Sequence, residues 1–107
     1  MSETINYRVI GNVEDYTEFP ANVKLNNQPY YIVEAPRKDD EEQRYNLISA
    51  ICPHAGGIVR PHLNELICPL HYWCFDKATG ESTNVPGEEL DCYPLEIQDG
   101  KFMARML

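Results

Sequence analysis

The chain has 107 residues, a mass of 12.3 kDa and a formal net charge of −8. This length predicts a single domain with a modest core, and the acidity argues against nucleic acid and anionic membrane as partners. No apolar run approaches the roughly 20 residues that cross a bilayer. Residues 1–4 (MSET) lack the features of a signal peptide, so we expect a cytoplasmic protein without membrane contact.

Alternation of apolar and polar residues predicts a strand near the N-terminus. Ile5, Tyr7 and Val9 share one face of residues 4–10, and we expect that face to be buried. The turn-rich and acidic residues 12–20 then predict a loop, because proline interrupts any helical stripe there.

A tight hairpin is predicted after this loop. Residues 23–25 and 30–33 are mostly apolar, and Asn26 and Asn27 between them tolerate the positive φ of a two-residue turn. The charge run at residues 37–44 (RKDDEEQR) predicts the solvated end of a second hairpin, with docking of a partner as the alternative role.

Short strands and turns are predicted in the middle of the chain. Residues 45–51 are mostly apolar and predict a strand covered on both faces. Residues 65–67 and 72–75 predict two further strands, and residues 76–80 predict a turn after them.

The C-terminus carries a clear hairpin pattern. Asp99-Gly100 favours a two-residue type I′ turn. The register that follows pairs apolar residues on one face, namely Ile97 with Phe102, Leu95 with Ala104 and Tyr93 with Met106. Since no stretch has convincing helical periodicity, we expect an all-β protein of antiparallel sheets.

Two couples of cysteine and histidine stand at the centre of the chain. Cys52 and His54 lie in the segment CPHAGG, and Cys68 and His71 lie in the segment CPLH. Thiolate and imidazole groups are donors for soft metal ions, and each predicted loop offers one of each. Zinc fingers usually present their cysteines as one couple and their histidines as another. The alternation here suits a two-iron cluster held from both loops.

These segments resemble the Rieske family of [2Fe–2S] proteins, as does the following WCFDKATG at residues 73–80. The resemblance implies a Rieske-type domain over residues 1–107. In such a domain, residues 50–76 would form a small cluster-binding subdomain inserted in a basal region of antiparallel sheets.

The resemblance also implies the ligands of one [2Fe–2S] cluster. Cys52 and Cys68 would bind one iron, and His54 and His71 would bind the other through a ring nitrogen. Neutral imidazoles in place of two thiolates remove negative charge, which raises the reduction potential. The residues expected around the cluster are Gly56, Gly57, Tyr72, Trp73 and, from a third loop, Pro86.

Three features distinguish the chain from parts of this family. Tyr72 stands where glycine is usual, and Gly57 and Leu70 stand where respiratory Rieske subunits have a disulfide between the two ligand loops. Trp73 and Phe75 replace hydroxyl residues that hydrogen-bond the cluster sulfurs in the respiratory form. We therefore expect the lower-potential, ferredoxin-like branch.

The function implied by the resemblance is one-electron transfer without catalysis, because four protein ligands leave no open position for a substrate. The implied partners are a flavin- or NAD(P)H-linked reductase and an oxygenase or other acceptor. A nitrite reductase small subunit, a non-redox zinc module and a redox or iron sensor remain alternatives. Only His62 is left for a second iron site, which excludes a complete oxygenase. Cys74 and Cys92 are expected to be free thiols.

Overall fold

The structure is a computed structural model that describes residues 7–35, 44–54, 56–63 and 65–105. In these ranges the chain forms nine strands and a 3₁₀ turn at Val13–Asp15, and it contains no α-helix. The all-β prediction is confirmed. The strands are β1 (Tyr7–Asn12), β2 (Ala21–Leu25), β3 (Gln28–Ala35), β4 (Arg44–Ser49), β5 (Arg60–His62), β6 (Glu65–Ile67), β7 (Cys74–Asp76), β8 (Cys92–Gln98) and β9 (Lys101–Arg105).

The strands form two antiparallel sheets. Six of them make one sheet in the order β1-β9-β8-β4-β3-β2, and the other three make a small sheet in the order β5-β6-β7. The small sheet is inserted in the chain between β4 and β8, as expected for the cluster-binding subdomain. No helix in the described part of the chain is long and apolar enough to cross a membrane.

Strand β4 of the large sheet is buried on both faces over residues 47–49, which confirms the prediction of a covered strand within residues 45–51. Leu47 and Ile48 of β4 have no exposed surface and face different cores. The basal core contains Ile10, Ala21, Leu25, Tyr30, Ile32, Leu47, Phe102 and Ala104. The site core joins the large sheet to the small one and contains Tyr31, Val33, Ile48, Ala50, Cys52, Val59, Leu66, Cys68, Phe75 and Leu90.

The hairpin between β2 and β3 forms as predicted. Asn26 and Asn27 have φ values of 50° and 66°, and Leu25 pairs with Gln28 across them. A two-residue turn with positive φ at both positions matches the right-handed twist of the strands. Asparagine reaches this conformation at lower cost than most other residues.

The C-terminal hairpin also has the predicted turn and register. Asp99 and Gly100 have φ values of 53° and 74°. The predicted pair of Tyr93 with Met106 ends outside the described residues. The two described pairs are Ile97 with Phe102 and Leu95 with Ala104.

The buried face of β1 differs from the prediction, which was wrong for this strand. Tyr7 and Val9 are exposed, Ile10 is buried, and Ile5 lies outside the described residues. The register between β1 and β9 shifts between Val9 and Gly11. Such an irregularity changes which side chains face the core, and simple alternation does not reveal it.

Three further comparisons concern the start of one strand, a strand that was not predicted and a predicted segment that lies mostly outside the described residues. The strand predicted at residues 72–75 begins only at Cys74, because Tyr72 lies in a turn with a φ of 58°. The strand β5 was not predicted. The charge run at residues 37–44 lies outside the described residues except for Arg44, which begins β4.

Candidate metal centre

The first ligand loop, residues 52–57, is closed by its own backbone. The N–H of Cys52 donates to the carbonyl of Gly57 at 2.7 Å, and the N–H of Gly56 donates to the carbonyl of Cys52 at 3.0 Å. Gly56 has a φ of 73°, a conformation that glycine adopts without steric cost. The tight turn leaves Cys52 buried and His54 exposed.

The second ligand loop, residues 68–73, closes in a similar way. The N–H of Cys68 donates to the carbonyl of Trp73, and the N–H of Tyr72 donates to the carbonyl of Cys68, both at 2.9 Å. Tyr72 adopts a left-handed φ of 58°. This conformation explains why glycine is usual at the corresponding family position. Cys68 is buried and His71 is exposed.

The two loops place their sulfurs inward and their imidazoles outward. Cys52 and Cys68 are each only 1% exposed and belong to the site core. The Nδ1 atoms of His54 and His71 lie 3.1 Å apart. Metal–imidazole bonds of about 2.0–2.1 Å place two nitrogens on one tetrahedral ion about 3.3 Å apart. The separation of the two Nδ1 atoms therefore suits coordination of a single metal ion by both rings.

In the described ranges, no three Cys, His, Asp or Glu side chains are placed to hold a single metal ion. His62, the third histidine, is exposed on β5, as predicted.

Contact between the ligand loops depends on the absence of a side chain at Gly57. A Cβ atom there would lie 2.8 Å from Cδ1 of Leu70 and 2.9 Å from Sγ of Cys68. Gly57 and Leu70 are the two positions that carry the disulfide in respiratory Rieske subunits. In this chain, close packing of Leu70 on the glycine joins the loops at the same point.

Trp73 lies against one of the exposed imidazoles. Its ring stacks on His54 with a centroid distance of 4.4 Å and an interplanar angle of 18°. The side chain is half-buried and packs against the site core. The sequence predicted Trp73 as a neighbour of the centre, and the structure places it beside His54.

A third loop, residues 82–87, lies against the second ligand loop through Asn84. The Oδ1 atom of Asn84 accepts from the N–H of Cys74 at 2.9 Å, and its Nδ2 donates to the carbonyl of Tyr72 at 3.0 Å. Pro86 is exposed, and its role as a residue that covers the cluster stays a prediction. Sequence reasoning missed Asn84, because nothing in its spacing from the cysteines and histidines indicates this contact.

The two cysteines outside the predicted ligand set are free thiols in the structure. Burial, and then the nearby Glu65 carboxylate, raise the pKa of Cys74. Burial, and then Glu89, raise the pKa of Cys92. Both groups are therefore less readily deprotonated than an exposed thiol, which lowers their reactivity.

The family model for the Rieske [2Fe-2S] domain matches residues 6–94. This chain belongs to the Rieske family. The match includes both ligand loops, the small sheet and the third loop. It therefore implies a [2Fe–2S] cluster. A comparison with curated proteins finds no match.

Solved structures with the same fold include a Rieske protein, a ferredoxin and a putative nitrite reductase small subunit. The plasma membrane Rieske protein PetC3 from Synechocystis PCC 6803 is 16% identical, with a TM-score of 0.68, and the match covers 92% of this chain and 99% of that one. The ferredoxin of Sphingomonas yanoikuyae B1 is 20% identical, with a TM-score of 0.67 and coverages of 95% and 100%. A protein described as a putative NADH-dependent nitrite reductase small subunit from Mycobacterium tuberculosis is 15% identical, with a TM-score of 0.63 and coverages of 98% and 98%.

Proposed function

We propose that this Rieske domain is a ferredoxin-type carrier of single electrons. Its cluster is held by Cys52 and Cys68 on the buried side and by His54 and His71 on the exposed side. The observation that carries the proposal is the facing pair of imidazoles, with Nδ1 atoms 3.1 Å apart, above two buried cysteines. This arrangement matches a two-iron centre with two sulfur ligands on one iron and two nitrogen ligands on the other.

The donor set fits the chemistry that a [2Fe–2S] cluster supplies, which is uptake and release of one electron. The buried cysteines keep water away from the sulfur side of the centre. The exposed histidines shorten the distance from the centre to a cofactor of a docked partner. Four protein donors leave no open coordination position for a substrate, so we assign the chain a non-catalytic role.

A partner would dock at the end of the molecule that carries the exposed histidines. Residues 50–76 contain one cation, Arg60, and two anions, Glu65 and Asp76, so their formal charge is −1. The remaining residues carry −8 − (−1) = −7. Leu63 and Tyr72 are 87% and 71% exposed within this nearly neutral segment. We propose docking through apolar contacts to a flavin- or NAD(P)H-linked reductase and to an oxygenase or other acceptor.

The small subunit of a reductase assembly is the second candidate. It is favoured by the likeness in fold to the Mycobacterium tuberculosis protein, over nearly the full length of both chains. In that role the same centre would pass electrons to a catalytic subunit. Stable co-purification with one catalytic chain would favour this candidate, whereas rapid exchange between separate partners would favour the ferredoxin.

Low-temperature EPR of the dithionite-reduced protein, purified without air, tests the proposal. We expect a rhombic signal with an average g below that of all-cysteine clusters, because nitrogen ligands bind one iron. His54→Ala and His71→Ala should each abolish this signal. His62→Ala is the matched control, since His62 is an exposed histidine on β5, and it should retain the signal.

Two results would contradict the proposal. A colourless, EPR-silent protein with stoichiometric zinc would indicate a zinc module. An intact mixed-ligand signal in either His54→Ala or His71→Ala would remove that histidine from the ligand set.

A further inference from the structure

We propose that Asn84 is a positioning residue that holds Trp73 against the imidazole of His54. Through this contact it sets the orientation of the exposed pair of histidines. The inference about the histidines as ligands rests on the proposed function, whereas the contact between Asn84 and the second ligand loop stands on its own geometry.

The side-chain amide of Asn84 binds the peptide groups on both sides of Trp73. Its Oδ1 accepts from the N–H of Cys74 at 2.9 Å, and its Nδ2 donates to the carbonyl of Tyr72 at 3.0 Å. A backbone N–H can only donate and a carbonyl can only accept, so these partners fix which amide atom is oxygen and which is nitrogen. No other orientation of the amide satisfies both partners.

The loop that carries Asn84 is itself fixed to the small sheet. The N–H of Thr83 and the Oγ of Ser82 both donate to the carbonyl of Cys74 at 2.9 Å. The hydroxyl of Thr83 donates to the carboxylate of Glu65 on β6. These contacts give Asn84 a defined position from which to hold the neighbouring segment.

Trp73 transmits this position to the histidines. Its carbonyl accepts from the N–H of Cys68 at 2.9 Å, so its backbone is held from both the ligand loop and the third loop. Its indole covers one face of His54 at a centroid distance of 4.4 Å. The imidazole cannot tilt away from the indole without losing this stack. His54 in turn lies 3.1 Å from His71, measured between Nδ1 atoms.

Outer residues that orient the ligands of a metal also tune its properties. Loss of the Asn84 amide should free Trp73, and a mobile indole should leave the His54 ring less fixed. The expected consequences are a more exposed tryptophan and a changed ligand geometry at the metal centre.

Fluorescence and EPR of the holoprotein test the two halves of this inference. Trp73 is the single tryptophan of the chain, so intrinsic tryptophan emission reports on it alone. Asn84→Ala should shift the emission to longer wavelength and increase quenching by acrylamide. It should also shift or broaden the EPR lines of the reduced protein and shift its reduction potential.

Asn46→Ala is the matched control. The Nδ2 of Asn46 donates to the carbonyl of Ala78 at 2.8 Å, so this variant also loses an asparagine-to-backbone hydrogen bond, but one that does not hold Trp73. It should leave the emission, the EPR lines and the potential unchanged. Asn84→Asp keeps an acceptor for Cys74 but loses the donor to Tyr72. It should show the same changes as Asn84→Ala to a smaller extent, and it serves if the alanine variant does not fold.

The inference is overturned if both Asn84 variants match the wild type and Asn46→Ala in emission and quenching. Unchanged EPR lines and potential despite a more exposed Trp73 would overturn the part that concerns His54. A wild-type protein without a mixed-ligand EPR signal would reject the proposed function instead, and the fluorescence comparison would still decide whether Asn84 holds Trp73.

Discussion

At the residue scale, Gly57 is a position where the centre has no room for a side chain. An added methyl group would lie within 3 Å of both Leu70 Cδ1 and Cys68 Sγ. We predict that Gly57→Ala displaces the Cys68 sulfur or separates the loops, with loss of most bound iron and sulfide. The measurement is iron and sulfide content per protein, together with the visible spectrum.

Gly87→Ala is the control for this prediction. Gly87 has a φ of 87°, and apart from its chain neighbours no atom lies within 4 Å of the position that a methyl group would take. The substitution therefore introduces backbone strain without a clash. It should retain the cluster and lower the free energy of unfolding by about 1–2 kcal/mol. Equal iron content in the two variants would show that the contact between Gly57 and Cys68 does not control cluster binding.

Cys74 follows the second ligand loop directly and begins β7. Its Sγ lies 3.5 Å from the carbonyl of Tyr72, and burial followed by Glu65 raises its pKa. We predict that Cys74→Ser retains the cluster, because Cys74 begins β7 and lies outside both cysteine–histidine couples. Loss of iron and sulfide from this variant would mean that the ligands are misassigned.

The raised pKa of Cys74 also predicts its reactivity toward iodoacetamide. The thiolate is the reacting species, so alkylation near pH 8 should be slower than for an exposed cysteine and should accelerate as pH rises. Comparison of alkylation rates in the wild type and Cys74→Ser isolates the contribution of this residue. A rate equal to that of an unfolded control at pH 8 would contradict the effect of burial.

Individual residues differ in how far their roles could be predicted. Cys52, His54, Cys68 and His71 could be named as candidate ligands because donor chemistry and short spacing are both visible in a sequence. The contacts of Asn84 were not predictable, because they depend on how a distant loop folds back onto the second ligand loop.

At the element scale, we expect both cores to stabilise the fold, and only the site core to support the metal centre as well. Leu66 belongs to the site core and Leu47 to the basal core, and neither has exposed surface. We predict that Leu66→Ala and Leu47→Ala each lower the free energy of unfolding by about 2–5 kcal/mol. Only Leu66→Ala should also accelerate loss of the cluster, since Leu66 packs in the same core as Cys52 and Cys68.

Denaturant unfolding and the rate of bleaching of the visible spectrum measure these two effects separately. The comparison uses conditions in which both variants remain folded. Equal bleaching rates in the two variants would mean that the site core gives the cluster no support beyond global stability.

The strands and turns differ in how well the local sequence predicted them. Both two-residue hairpins were predicted because their turns depend on residues within the turn itself, such as Asn26-Asn27. The exposed face of β1 was missed because its register depends on an irregular pairing with β9. The start of β7 was missed because a left-handed Tyr72 is unfavourable in itself and is stabilised only by the surrounding loops.

At the scale of the whole molecule, the segment that carries the exposed histidines is much less acidic than the rest of the chain. Residues 50–76 carry a formal charge of −1, against −7 for the remainder. The net charge predicted an acidic protein, but it did not predict that the segment with the exposed histidines is nearly neutral. Electron transfer at this segment should therefore respond to distant charge only when ionic strength is low.

Oxidation of the reduced protein by ferricyanide and by hexaammineruthenium(III) tests this expectation with an anionic and a cationic reagent. The described part of the chain measures 41 × 34 × 26 Å. The Debye length falls from about 30 Å to about 10 Å between 0.01 M and 0.1 M ionic strength. Over this range the ferricyanide rate should rise and the ruthenium rate should fall, as the charge of the remainder is screened. Above it both rates should level off, because little charge lies beside the histidines. A steep dependence that continues at higher ionic strength would instead place a cluster of charges next to the centre.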